Sequence, residues 1–225
     1  GLNKSTTLRI LYTLKNEGFV KYDEKTREYS LGISIFKLGN YMYNTMNLNQ
    51  IAKSFIREIS NRMGVVVHLG IYESNSIVII DKVYPEKELT WPRMTSVIGG
   101  IIPVYCTGIG RLFLAHMDTQ KAIEYLDSAE IIKYTPTTIT DKNLILNEVK
   151  KAKEMSVSFC NCEHEPYIYS ISAPIYDRTN SMIAGVSIGG FKDMFKGYTS
   201  EELSSIIKEL GQSISEGIGY SGQYR

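Results

Sequence analysis

Cysteine is scarce in this chain: Cys106, Cys160 and Cys162 are the only three. That number is small and odd, which fits a reducing compartment better than a disulfide framework. No apolar run approaches the ~18 residues needed to span a bilayer, and no signal-peptide pattern opens the chain. The sequence therefore reads as soluble and cytoplasmic, with no membrane partner. Net charge is only +1, so the molecule as a whole is not a polyelectrolyte binder, and any nucleic-acid surface must be local. Internal repeats and low-complexity stretches are absent too.

Apolar residues make up 43% and charged residues 22% of the 225, enough for a real core. At roughly 150 residues per domain, the length allows one large domain, or a small one and a larger one. Charge is unevenly spread. Residues 1–37 hold seven Lys and Arg against four Asp and Glu, a local excess of +3.

The spacing over residues 4–16 predicts an amphipathic helix. Thr7, Ile10, Leu11 and Leu14 gather on one side, with Ser5, Arg9, Tyr12 and Asn16 on the other. Asn3 or Ser5 is placed to cap its start, and Gly18 follows its end. "FVKYDEKTREYSLG" then shows two short alternating runs around a polar tip, the signature of a hairpin. An ordinary helix with a solvated face would suit the first segment alone. The basic-tipped hairpin that follows favours a winged helix-turn-helix facing DNA, with Arg9 and Tyr12 reaching bases or phosphates and Lys25 and Arg27 touching the neighbouring backbone.

Further along, residues 33–46 and 48–63 carry helical spacing, the second segment ending at Gly64. "VVVHLGIYE" and "SIVIIDKVYP" read as strands, followed by helices near 107–117, 119–127 and 141–155. "SVSFCNCEH", "IYSISAPIYD" and "SMIAGVSIGG" read as three more strands. A final helix spans about 199–216, capped by Thr199 or Ser200 with Glu202 nearby. Strands clustered as hairpins with helices around them predict an α+β domain on an antiparallel sheet.

"NKSTTLRILYTLKNEGFVKYDEKTREYSLG" resembles the recognition helix and wing of IclR-type bacterial transcriptional regulators, through Lys4-Ser5-Thr6, Arg9-Ile10-Leu11, Gly18 and Tyr29-Ser30-Leu31-Gly32. The resemblance continues in "GGIIPVYCTGIGRLFLA" and "ISAPIYDRTNSMIAGVSIGG" and so covers nearly the whole chain. Arg111 stands where Lys is usual and Tyr105 where His is usual. The resemblance implies a partial winged helix-turn-helix at 1–32, since about two helices usually precede this point. A linker helix at 33–47 and a GAF-like effector-binding domain at 48–225 would follow. It also implies double-stranded operator DNA as partner, with Lys4, Ser5 and Thr6 joining Arg9, Tyr12, Lys25 and Arg27 in contact with it. The expected assembly is a homodimer or tetramer, with the linker helix contributing to dimerisation.

The chemistry of an effector site centres on "CTGIGR". Thr107 is placed to cap a helix whose first turn offers the unpaired N–H groups of Gly108 and Ile109, a natural seat for a carboxylate. Equally, Gly108 and Gly110 would serve close helix–sheet packing. The resemblance adds Trp91, Met94 and Ile102 as apolar wall, Ile168 and Ser170 from one strand, Ser187 and Gly189 from another, and Cys160 from the strand before. Two positions depart from the family pattern. Cys160 replaces a common acidic residue, which reduces preference for hydroxyl-bearing effectors. Tyr167 replaces a common Gly, which would shrink the pocket or supply a phenol.

A rival reading uses "CNCEH". On a strand, Cys160, Cys162 and His164 would share a face suited to a soft metal or to redox sensing. A stand-alone GAF-like sensor without DNA binding is a further alternative. Catalysis is not expected, because Cys106 has no accompanying acid or oxyanion motif and the zinc-deaminase pattern is missing. His68 reads as a hydrogen-bonded strand histidine. No cofactor and no metal are expected. The expectation is a ligand-responsive DNA-binding regulator, most often a repressor in that family, that binds a small carboxylate effector.

Overall fold

The computed structural model describes residues 1–86 and 94–224. It divides into two compact units, Gly1–Gln50 and Ile51–Arg225.

The first unit opens with helix α1 (Lys4–Asn16), whose start is capped by Asn3: the side-chain oxygen accepts from the Thr6 N–H at 2.9 Å. Its end is a Schellman turn, with Phe19 N–H donating to the Leu14 carbonyl and Gly18 N–H to that of Lys15. Gly18 takes φ +73°, which is why a glycine stands there. Strands β1 (Val20–Tyr22) and β2 (Tyr29–Leu31) pair antiparallel, so the hairpin is present. Asp23 Oδ1 orders the tip by accepting from the N–H groups of Lys25 and Thr26. Helix α2 (Ile33–Thr45) follows and buries no side chain within the structure: Phe36, Leu38, Tyr41 and Met42 are all exposed.

Helix α3 (Asn47–Met63) leads to a six-stranded, wholly antiparallel sheet. Its strands are β3 (Val66–Glu73), β4 (Ser76–Val83), β5 (Ile101–Ile102), β6 (Ser158–Asn161), β7 (Ile168–Tyr176) and β8 (Met182–Phe191). They lie in the order β5-β4-β3-β8-β7-β6. The β3–β4 turn places Ser74 and Asn75 both in the left-handed region, the geometry of a tight two-residue hairpin. The two-residue strand β5 was not expected; it is too short to show any alternation.

Helices α4 (Gly108–His116), α5 (Thr119–Ser128) and α6 (Lys142–Met155) build one core with Ile77, Ile79, Val104 and Ile109. Ile109 fixes where α4 crosses the sheet. Gly70 and Gly185 face each other on β3 and β8, and a Cβ on either would press into the Ile109 side chain. Ile171, Ala173, Ile175, Val186 and Ile188 occupy alternate positions of β7 and β8 and are fully buried on the other face. Helix α7 (Ser200–Gly217) packs on those two strands and begins with a full capping box between Thr199 and Glu202.

The "CNCEH" segment is corrected by the structure. Strand β6 ends at Asn161, and Cys162 turns into the left-handed region at φ +58°. Cys160, Cys162 and His164 therefore do not share a strand face. The cause is Glu163, which is carried inward to Arg111 of α4.

Candidate effector cavity and candidate DNA-facing surface

A cavity of about 70 Å³ lies against the sheet at the start of α4. Met94, Ile102, Gly108, Ile109, Cys160, Ile168, Ser170, Ser187 and Gly189 all line it, brought together from a loop, β5, α4 and three strands. Trp91, also expected in the wall, lies outside the described residues. His68, Ile79, Ser96, Thr107, His164 and Glu165 line the cavity as well and were not anticipated there. Of these, His68 carried a sequence signal, as a polar residue amid "VVVHLGIY". Ser96 and Glu165 sit on loops, and only tertiary folding brings them in.

The start of α4 differs from expectation in one respect. Thr107 occupies the cap position, but its hydroxyl donates to the Pro103 carbonyl at 2.6 Å and makes no cap bond to the helix. Among the described residues, the first-turn N–H groups of α4 thus receive no side-chain cap. Close packing holds here too. A Cβ on Gly108 would collide with the Ser172 hydroxyl, and one on Gly110 with the backbone of Val104. Ser172 is fully buried, and its hydroxyl has no hydrogen-bond partner among the described residues. Tyr167 is 75% exposed, with φ +69°, and does not line the cavity. The left-handed backbone explains why glycine suits that position; the side chain neither shrinks the pocket nor offers it a phenol.

Among the described residues, Glu165 is the one Asp, Glu, Lys or Arg that lines the cavity. Burial, helped by the Lys82 cation, pushes the His68 pKa down to about 3, so the ring is neutral. His68 Nε2 lies 2.9 Å from Ser96 Oγ. Lys82 Nζ donates to the carbonyls of Met94 and Ser96, which holds that loop over the sheet. On the opposite rim, Glu165 Oε2 accepts from the Thr95 N–H at 3.1 Å.

Beneath the cavity, Arg111 is 1% exposed and forks onto Glu163, with Nη1 to Oε1 at 2.8 Å and Nη2 to Oε2. Burial alone would lower its pKa; the bonds and charge of Glu163 outweigh this and raise it. Thiol chemistry is suppressed in the same region. Burial pushes the Cys106 thiol up to about 12 and raises that of Cys160, whose Sγ donates to the Cys106 carbonyl. Neither is a thiolate at neutral pH, which argues against a nucleophile or a redox sensor. Among the described residues, no group of three or more His, Cys, Asp and Glu is placed to hold a metal ion.

In the first unit, Lys4, Ser5, Arg9, Tyr12, Lys25 and Arg27 are exposed and Thr6 is half-buried. Arg9, Tyr12 and Lys15 line a shallow groove with Tyr22 and Tyr29, whose rings pack 4.8 Å apart. Ser5 Oγ donates to Asn3 Oδ1, and Arg27 sits at φ +61° in the hairpin tip. Among the described residues, no helix is long and apolar enough to cross a membrane.

Residues 41–216 match the family described as Bacterial transcriptional regulator IclR C-terminal. Among curated proteins, the chain is 31% identical over 219 residues to the HTH-type transcriptional regulator KdgR of Escherichia coli K12, covering 97% of this chain and 82% of that protein. Among solved structures, the Thermotoga maritima IclR superimposes with a TM-score of 0.75 at 29% identity, over 97% of this chain and 87% of that one. An IclR homologue from Microbacterium hydrocarbonoxydans, complexed with 4-hydroxybenzoate, gives 0.78 over 96% of this chain and 86% of that one; at 19% identity it shows the fold alone. These relatives are regulators and not enzymes, and the chain belongs to the IclR family of bacterial transcriptional regulators.

Proposed function

We propose that the protein is a ligand-responsive transcriptional repressor whose larger unit binds a small carboxylate and whose smaller unit contributes a winged helix-turn-helix surface to operator DNA. One observation carries the ligand reading. The start of α4, with no side-chain cap, lines the same cavity as the Ser170 and Ser187 hydroxyls. N–H groups at a helix start supply an anion with hydrogen bonds and favourable partial charge, and serine hydroxyls add neutral donors. A structural neighbour complexed with 4-hydroxybenzoate is an instance of this fold in complex with a carboxylate.

For DNA, helix α1 offers Lys4, Ser5, Thr6, Arg9 and Tyr12, while Lys25 and Arg27 flank the hairpin tip. The exposed apolar residues of α2 suit self-association into a homodimer or tetramer. An effector changes operator affinity only to the extent that it binds two arrangements of that assembly unequally. The test is isothermal titration of the protein with 2-oxo acids, sugar acids and aromatic acids. Saturable binding that disappears in Ser187→Ala supports the reading. Binding to none of the three classes removes the carboxylate from it.

A further inference from the structure

A second cavity, open and of about 350 Å³, lies between β5 and the C-terminal end of α5. Ile102 lines both this cavity and the one at the start of α4, so the two share a wall. Tyr105, Tyr125 and Tyr134 line it together with Ile101. Two of the three phenols are spent inside the protein. The Tyr105 hydroxyl donates to the Ile132 carbonyl and accepts from the Ile132 N–H, both at 2.8 Å. The Tyr125 hydroxyl is hydrogen-bonded to the backbone of Val104. What these two residues offer the cavity is therefore ring surface.

The charge at this cavity has one sign. Glu130 is exposed, lines it, and forms no ion pair among the described residues. Helix α5 brings its C-terminal end, with its partial negative charge, to the same place through Tyr125 and Ser128. The last turn of α5 holds no basic residue to balance that charge. Among the described residues, no Lys, Arg or His lines the cavity, and Lys142 is paired with Asp127 at 3.0 Å. Negative potential over aromatic rings attracts a cation, and a cation carried on carbon also buries its alkyl groups on the rings. One carboxylate among rings is a poor seat for a hard metal ion, which takes about six oxygen ligands.

We propose that this cavity is a second ligand site, for an organic ammonium ion whose alkyl groups rest on the tyrosine rings while its charge faces Glu130 and the end of α5. Glu130 and the three tyrosines line this cavity and not the one at the start of α4, so the site stands whether or not the other takes a carboxylate.

The test is isothermal titration of the protein with two ammonium ions, each beside an uncharged counterpart of similar shape: choline with 3,3-dimethylbutan-1-ol, and butylammonium with butan-1-ol. At least one ammonium ion should bind saturably and about tenfold more tightly than its counterpart. Glu130→Gln and Tyr134→Leu alter exposed side chains and leave the core intact. Each should weaken that ammonium ion about threefold or more. Saturable binding of neither ammonium ion, equal affinity for the uncharged counterparts, or an affinity unchanged in both variants would overturn the assignment.

Discussion

Arg111 and Glu163, 52 positions apart, meet in a two-point ion pair buried beneath the start of α4. The pair ties the helix that begins the cavity to the loop that follows β6. It also answers two questions that the sequence raised. Arginine suits position 111 because its fork matches a carboxylate at two points and its Nε still reaches the Tyr105 carbonyl. The "CNCEH" run is organised around its glutamate, whose carbonyl accepts from Thr138 Oγ1 at 2.6 Å.

Glu163→Gln leaves Arg111 charged, buried and without its partner. Urea unfolding should show a loss of about 3–5 kcal/mol, and replacing both residues by apolar ones of similar volume should recover most of it. A loss below about 1 kcal/mol would place the pair among interactions that the solvent screens.

Stability should fall as pH drops below about 6.5, the ordinary pKa of histidine. The unfolded chain takes up a proton at His68 from there downward, while the folded chain resists it until about pH 3. Protons bind the unfolded state first, so acid destabilises throughout that window. At pH 5 the contribution of His68 is about 2 kcal/mol. His116 and His164, whose pKa values burial also lowers, act in the same direction. His68→Gln should flatten the slope of unfolding free energy between pH 6.5 and 5; an unchanged slope would mean that His68 is not protected from protonation.

The ends of the regular elements were the most legible part of the sequence. The Asn3 cap, the Gly18 turn and the Thr199–Glu202 capping box are set by residues three or four positions apart, and the structure shows each of them. Interactions across long separations were not legible. Strand alternation runs straight through "SFCNCEH", but the chain breaks it at Cys162 so that Glu163 reaches Arg111. The cavity was partly legible: the motif around Gly108 and the strand serines could be named, whereas Ser96 and Glu165 enter it on loops with no periodicity to read. Thr107 had the right position for a cap and spends its hydroxyl on Pro103 instead.

Thr199→Ala should cost about 1 kcal/mol of stability, since it removes the oxygen that accepts from the Glu202 N–H. Thermal unfolding of the single variant measures it. No change would mean that water or a neighbouring residue replaces the cap at no cost.

Arg9→Ala should weaken operator binding by about 1–3 kcal/mol if the arginine reads a base. Lys25→Ala should weaken binding to all sequences alike and reduce the salt slope by about one. Fluorescence anisotropy at several salt concentrations separates the two, and wild-type affinity in both variants would remove α1 and the hairpin from the DNA interface.

Whether the uncapped start of α4 holds a small carboxylate is decided by thermal unfolding against a panel of 2-oxo acids, sugar acids and aromatic acids, with zinc and a chelator as controls. A ligand present at about 100 times its Kd stabilises the fold by ~2.7 kcal/mol. Such a shift is expected with at least one acid, with its loss in Ser187→Ala and no response to zinc or chelator. A transition indifferent to every acid but lowered by the chelator would contradict it and return the sensing role to the cysteines.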